Sequence, residues 1–214
     1  MISTPMRIFM PTELLTRRRL LALAAGAAVL PALPAQAVTE GEARGLVDQV
    51  AAELTAIVNS GGSLGQMIGR FERVFDRFAD MPVIARSVLG PAARQASAQQ
   101  LARFAEVYRG YLARKYGRAL FGGYSGGTVT VTGVRKSGTV WSVGSTARMQ
   151  RRSGGSESLD VVWQVSERSP APRFFNMIID GVSLFAVERE EVPALLEARR
   201  GNLDRLIADL PGLG

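Results

Sequence analysis

Apolar residues recur every three or four positions through the first half of the chain beyond residue 38, and this spacing predicts amphipathic helices. One stripe begins at Leu46 and ends at a polar, glycine-rich break over residues 59–63. A second stripe covers residues 64–78. A short helix is predicted from Pro82 to Leu89, because proline suits the first turn of a helix.

The longest predicted helix begins behind Ser97, which forms a capping box with Gln100. It continues to about Leu120, and the pair Gly122-Gly123 is expected to end it. Aromatic and aliphatic side chains share one face of this helix: Leu101, Phe104, Tyr108, Tyr111, Leu112, Tyr116 and Leu120.

The second half of the chain changes to a period of two, which is typical of strands. Short loops at residues 136–138 and 153–156 separate the first three runs, so we expect an antiparallel meander. Two short helices are predicted after it, at residues 192–198 and 203–210. The predicted fold class is therefore α+β, with a single domain over residues 38–214. The predicted strands are Thr128–Val134, Thr139–Met149, Ser158–Val165 and Phe174–Phe185.

The segment before residue 38 has the three parts of an export signal. Arg7 and Arg17–Arg19 form a basic region, Leu20–Leu30 is an apolar run, and Ala35-Gln36-Ala37 is a small-residue cleavage site. The arginine run suits either the general or the twin-arginine export route. We expect cleavage after Ala37 and a periplasmic product, with an uncleaved anchor as the alternative.

Composition removes several classes of function. The chain contains no His and no Cys, which excludes a zinc finger, a His-based triad and a thiol nucleophile. No metal site and no cofactor is predicted. The net charge is +7, but the export signal holds four arginines and one glutamate, so its removal lowers the charge to +4. Nucleic acid is therefore not an expected partner.

Few residues offer acid–base chemistry. Asp76 and Asp180 are the first candidates if the chain is an enzyme with buried carboxylates. The acidic run Glu188, Glu190 and Glu191 is interpreted as a solvated face that opens the C-terminal helix. Lys115 lies toward the apolar side of the long helix, where it either reaches outward to solvent or meets an anionic headgroup at a pocket mouth.

Two other features have competing interpretations. The glycine-rich stretch 122–127 follows a helix and precedes a strand, the reverse of the order found in phosphate-binding loops, so we interpret it as a flexible connection. Arg103, Arg114 and Arg118 fall within about 60° of one another around the long helix. They form either a plain solvated face or a surface that docks to an anionic membrane or an acidic partner.

Three stretches of the chain form a recognisable pattern by their order and spacing. They are Phe75–Phe78 with Ala85–Gly90, Gln99–Phe104 with Leu112 and Tyr116–Leu120, and Phe175–Leu184 with Arg189. Together they resemble the MlaC / toluene-tolerance family of periplasmic phospholipid-binding proteins. Departures occur at Pro91-Ala92-Ala93, at Arg173-Phe174 and at Asp180, where the family usually has other residues. A related branch associated with hopanoid biosynthesis stays open.

The resemblance implies an α+β fold whose sheet is similar to the cone of nuclear transport factor 2, with an apolar lipid pocket between sheet and helices. It implies a non-enzymatic carrier of diacyl phospholipid that passes lipid between an outer-membrane lipoprotein complex and an inner-membrane ABC transporter. Such a carrier would maintain the lipid asymmetry of the outer membrane.

We expect the pocket wall to come from the apolar faces of the helices and sheet, and a headgroup or docking role for Arg103, Arg114, Lys115 and Arg118. An enzyme of the same sheet type and a non-lipid envelope adaptor with a packed interior are the alternatives. The candidate wall residues are Phe75, Phe104, Tyr108, Leu112, Val131, Val143, Trp163, Met177 and Ile179.

Overall fold

The computed structural model describes residues 37–214, so all of the predicted export signal except Ala37 lies outside the described residues. It confirms the α+β class: helices precede and follow a five-stranded antiparallel sheet. The helices are α1 (Glu40–Val58), α2 (Leu64–Phe78), α3 (Met81–Leu89), α4 (Ala98–Gly123), α5 (Leu184–Glu197) and α6 (Leu203–Asp209). The strands are β1 (Tyr124–Ser137), β2 (Val140–Arg151), β3 (Ser156–Ser166), β4 (Phe174–Ile179) and β5 (Val182–Ser183).

Side-chain caps decide where the helices begin. Thr39, Ser63 and Ser97 each form a capping box at the start of α1, α2 and α4. Each hydroxyl accepts a bond from a backbone N–H that has no partner inside the helix. Asp80 caps α3 in a similar way, with Pro82 in its first turn. The bounds of α2 predicted from its apolar stripe agree with the structure, where Ser63 caps the start of the helix.

The sheet is a meander in which each strand pairs with the next one along the chain. In the central register, Val129 of β1 pairs with Ala147 of β2, which pairs with Leu159 of β3. Directly opposed residues point to the same face, so these three side chains share the inner surface of the sheet. The helices cover that surface.

Helix α1 lies along the outer edge of the sheet and supplies hydrogen bonds that β1 lacks there. The Val129 N–H donates to Thr55 Oγ1 at 3.1 Å. The Asn59 amide donates to the Gly127 carbonyl oxygen at 2.7 Å and accepts from the Gly127 N–H at 3.3 Å. Part of the edge strand is thereby protected from pairing with another chain.

The connection from α4 to β1 is tighter than the sequence suggested. Helix α4 continues through Gly123 and β1 begins at the next residue, with no flexible loop between them. The Arg152 N–H donates to the Gly123 carbonyl oxygen at 2.9 Å and holds the junction. Gly127 is required by close packing, because a Cβ atom there would lie 2.5 Å from the carbonyl oxygen of Arg148.

The C-terminal third also differs from the prediction. The run predicted as one strand over 174–185 is interrupted by a turn at Asp180 and Gly181, both with positive φ. Ser183 then caps α5, which begins at Leu184 rather than near residue 192. As a result, the acidic residues Glu188, Glu190 and Glu191 lie within the helix.

The chain enters the fold at Val38, which is 4% exposed. Its N–H donates to the Glu167 carbonyl oxygen at 3.0 Å, and its own carbonyl oxygen accepts from Trp141 Nε1 at 2.8 Å. These bonds fix Val38 at the end of the sheet where β2 begins and β3 ends. Among the described helices, none is long and apolar enough to cross a membrane.

Candidate functional site

An apolar cavity of about 290 Å³ lies between the inner face of the sheet and helices α1, α2 and α4, with the first residue of α5 also in its wall. Its walls come from both layers of the fold and contain hardly any polar atoms. The helical wall is formed by Leu54, Val58, Phe71, Tyr116, Ala119, Leu120 and Leu184. The sheet side is formed by Tyr124, Val129, Ala147, Met149, Leu159, Val161, Trp163, Met177 and Ile179.

Strand register explains why the sheet presents an apolar wall here. Alternate residues of β2 and β3 point inward, and each pair is directly opposed: Val161 with Ser145, Leu159 with Ala147. Ser145 is the polar exception and is 2% exposed. Its hydroxyl accepts from Trp163 Nε1 at 2.9 Å and donates to the Val161 carbonyl oxygen at 3.2 Å. Both polar groups are therefore satisfied inside the wall.

At one end of the sheet, the inward-facing apolar residues of the wall are followed by charged residues. Glu157 pairs with Met149, and Arg151 is the next inward-facing residue of β2 after Met149. Arg151 contacts Glu157 Oε2 through Nε at 2.9 Å and Nη2 at 2.7 Å. The hydroxyl of Tyr124 donates to the same oxygen at 2.5 Å, while the residue lines the cavity. We call Tyr124, Arg151 and Glu157 the rim cluster.

Hydrogen bonding also shifts the acidity of the rim cluster. The bond from Tyr124, and after it the bond from Arg151, lowers the pKa of Glu157 below its usual value. The same bond to Glu157, with burial adding to it, raises the pKa of Tyr124. At neutral pH the cluster therefore presents a carboxylate, a guanidinium and a neutral phenol.

A second, narrower space of about 30 Å³ lies between α3, α4, α5 and β4. It shares Tyr116, Met177 and Leu184 with the main cavity. Phe75, Tyr108 and Glu188 are also in its wall. The two spaces are thus neighbours separated by three side chains.

A buried carboxylate joins α5 to α4 beside this narrow space. Glu188 is 3% exposed and accepts from Tyr108 Oη at 2.7 Å, Tyr116 Oη at 2.6 Å and Lys115 Nζ at 2.6 Å. Lys115 also contacts Glu191, which is nearer to solvent. We call Glu188, Lys115, Tyr108 and Tyr116 the buried ionic cluster. Within the described residues, every buried side-chain N or O atom has a partner.

The two tyrosines and the lysine of the buried ionic cluster hold their protons tightly. Burial raises the pKa of both Tyr108 and Tyr116 far above the usual tyrosine value, and their bonds to Glu188 add to the effect. Burial alone would lower the pKa of Lys115, but its hydrogen bonds to Glu188 and Glu191 outweigh this and raise it. Tyr108, Tyr116 and Lys115 therefore keep their protons well above neutral pH, which suits a structural role.

The structure distributes the nine candidate wall residues over four environments. Trp163, Met177 and Ile179 line the main cavity. Phe75, Tyr108 and Leu112 line the narrow space, as Met177 also does. Phe104 and Val143 are fully buried among other core residues and line neither space, while Val131 lies in an open groove beside α1.

Three arginines of α4, Arg103, Arg114 and Arg118, contact the C-terminal segment. Arg114 donates to the carbonyl oxygens of Leu210 and Leu213 at 2.8 and 3.0 Å, and Arg118 donates to that of Gly214. Arg103 lies 4.0 Å from Asp204 in an exposed ion pair. These contacts fasten the end of the chain to α4, whereas Lys115 belongs to the buried ionic cluster.

The two aspartates considered for catalysis lie away from the cavity. Asp76 is 60% exposed and contacts Arg109. Asp180 is exposed in the turn between β4 and β5, where it accepts from the Asp160 N–H at 2.8 Å. Among the described residues, no group of three or more acidic side chains is placed to hold a metal ion.

Sequence reasoning overlooked the rim cluster and misplaced Glu188. The acidic run was expected to be solvated, but α5 starts eight residues early and turns Glu188 toward α4. A signal for the rim cluster was present: alternation along β2 and β3 continues from apolar residues to Arg151 and Glu157 on either side of a short turn.

Residues 46–211 match the protein family described as MlaC protein. No curated protein sequence gives a significant match. A phospholipid-binding protein from Ralstonia solanacearum, solved in complex with a phospholipid, has a similar fold, with a TM-score of 0.63 and 19% identity. The similarity covers 79% of this chain and 94% of the Ralstonia protein. An iota-carbonic anhydrase from a cyanobacterium, complexed with bicarbonate, gives a TM-score of only 0.40 at 14% identity over 67% of this chain and 92% of its own, too low to support an argument.

Proposed function

Because the chain belongs to the MlaC family over residues 46–211, we propose that it is a phospholipid carrier that holds acyl chain in the cavity between sheet and helices. Family membership and the phospholipid-bound Ralstonia neighbour support lipid binding and favour a non-enzymatic role. The observation that carries the proposal is the cavity itself, which has an almost wholly apolar wall.

The cavity can supply the binding energy without a catalytic group. Its volume of about 290 Å³ is close to ten times the 30 Å³ that a water molecule occupies in the liquid, and a methylene group is about as large. Burial of about ten methylene groups at about 0.8 kcal/mol each contributes about 8 kcal/mol. An acyl chain therefore binds by burial alone.

A diacyl lipid needs more room than the cavity provides. We infer that the second chain enters by widening the narrow space between α3, α5 and β4, which is separated from the cavity by Tyr116, Met177 and Leu184. Movement of these side chains would join the two spaces. The bonds from Lys115 and Tyr108 to Glu188 then hold α5 against α4 while the wall adapts.

We place this activity in the periplasm, where proteins of the MlaC family act. The proposed route runs between an outer-membrane lipoprotein complex and an inner-membrane ABC transporter. A carrier on such a route must exchange lipid with membranes through transient contact. The charge of +4 after removal of the export signal favours contact with anionic surfaces.

Lipid extraction tests the proposal. Protein purified from the periplasm is extracted with organic solvent, and the lipids are identified and counted by mass spectrometry. We expect about one phospholipid per protein and uptake of labelled phospholipid from vesicles into stripped protein. Protein that carries no stoichiometric lipid and takes none from vesicles would refute the proposal.

A further inference from the structure

The inner face of the sheet changes from apolar to charged at one sharp boundary. Met149 and Leu159 line the cavity, and the next inward positions of the same strands are Arg151 and Glu157. Arg151 is 49% exposed and Glu157 is 27% exposed at the side chain. A ligand whose chains fill the cavity and whose polar end passes this boundary meets this pair.

The rim cluster keeps bonding capacity on both of its charged groups. Among the described residues, Arg151 meets Glu157 through Nε and Nη2, and both contacts end on Oε2. Nη1 of Arg151 and Oε1 of Glu157 remain for other partners. The cluster thus offers a donor of positive charge and an acceptor of negative charge side by side, next to the neutral hydroxyl of Tyr124.

We propose that the rim cluster is a headgroup subsite that selects a zwitterionic glycerophospholipid with a primary ammonium group, such as phosphatidylethanolamine. Arg151 binds the phosphate and Glu157 binds the ammonium. The inference rests on the proposed function, because it requires a lipid whose chains occupy the cavity. It adds a preference that an apolar cavity alone cannot supply.

The chemistry of the cluster argues against other headgroups. A carboxylate recognises an ammonium group through its N–H bonds, and a quaternary choline group has none. Choline sites use cages of several aromatic rings, whereas the rim cluster contains Tyr124 alone. The phosphate of a glycerol headgroup would bind Arg151. Glu157 would then face an uncharged glycerol group on a lipid of net negative charge, which its carboxylate repels.

Competition between two lipids tests the subsite. Stripped protein is incubated with vesicles of equal amounts of phosphatidylethanolamine and phosphatidylglycerol, re-isolated, and its bound lipids are quantified by mass spectrometry. The variants are Glu157→Gln and Arg151→Gln. Glu106→Gln serves as the matched control, because Glu106 is exposed on the N-terminal half of α4 and lies away from the rim cluster.

We expect wild type and Glu106→Gln to enrich phosphatidylethanolamine about three- to fivefold, the size of effect given by a partly exposed ionic contact. Glu157→Gln should lose this enrichment. Arg151→Gln should take up less of both phospholipids relative to diacylglycerol, which has no phosphate and is added to the same vesicles for this variant. The ratio is measured within each sample, so a partly unfolded variant does not distort it.

Two results overturn the inference, and they can be told apart. If every protein carries lipid but Glu157→Gln keeps the wild-type ratio, the rim cluster does not select headgroups, while the carrier function stands. If wild type takes up neither phospholipid, the proposed function fails and the subsite fails with it.

Discussion

Filling the cavity with protein atoms should stabilise the fold and weaken lipid binding at the same time. Ala147 is the position for this change, because it is 7% exposed at the centre of the inner face of β2. Its cross-strand partners Val129 and Leu159 also line the cavity. An Ala147→Leu side chain would extend into open space rather than into packed neighbours.

The expected magnitudes follow from the three carbon atoms that the substitution adds. Their burial contributes about 2.4 kcal/mol at about 0.8 kcal/mol each, and the lost rotamer freedom of leucine offsets about 0.5–1 kcal/mol. The net gain of about 1.5–2 kcal/mol corresponds to a rise of about 5 °C in Tm for a chain of this size. Three displaced lipid methylenes cost about 2.4 kcal/mol, which is about 50-fold in Kd.

Both proteins must be stripped of lipid by unfolding and refolding before comparison, because a bound ligand raises Tm by itself. Tm is then measured by calorimetry and Kd by displacement of a fluorescent lipid. Ala102→Leu on the exposed face of α4 is the control and should change stability by less than about 0.5 kcal/mol. A lower Tm for Ala147→Leu together with unchanged lipid affinity would refute the reasoning.

Three further predictions concern the buried ionic cluster and the sheet. Lys115→Met leaves the buried carboxylate of Glu188 without its cation and should lower the free energy of unfolding in urea by about 3 kcal/mol. The double variant Lys115→Met/Glu188→Gln should recover part of this loss. A double variant no more stable than Lys115→Met would contradict the pairing. Burial raises the pKa of Tyr108 and Tyr116, so above about pH 10 the unfolded chain loses protons that the folded chain keeps. The free energy of unfolding should therefore be unchanged by these groups below about pH 10 and fall by up to about 1.4 kcal/mol per tyrosine per pH unit above it. Unfolding in urea between pH 9 and 11 measures this slope, which Tyr116→Phe should make shallower. Gly127→Ala should cost more than about 2 kcal/mol because its Cβ meets the Arg148 carbonyl oxygen, whereas Gly133→Ala meets no atom within 4 Å and should be mild.

The sequence predicted local structure well where a side chain marks the boundary. Ser97 with Gln100 located the start of α4, and the periodicity of residues 64–78 located α2, because caps and amphipathic stripes are local properties. The prediction was wrong at Asp180 and Gly181, where a left-handed turn splits an almost continuous apolar run into two strands.

The cavity wall was less predictable than the elements that form it. Phe104 and Trp163 both lie on apolar faces, yet one packs in the core and the other lines the cavity. Periodicity tells which face points inward but not whether partner atoms fill the space opposite. Glu188 was misplaced for a related reason, because the two tyrosines and the lysine that satisfy it lie over 70 residues away in the chain.

The bonds that fix Val38 have a practical consequence for handling the protein. Val38 is tied to Trp141 and Glu167, while the rim cluster includes Arg151 at the opposite end of β2. Ten residues of strand separate these ends by about 33 Å. A purification tag or a surface tether attached at residue 37 therefore leaves the rim cluster turned toward solution, so immobilised protein should still meet vesicles at that end.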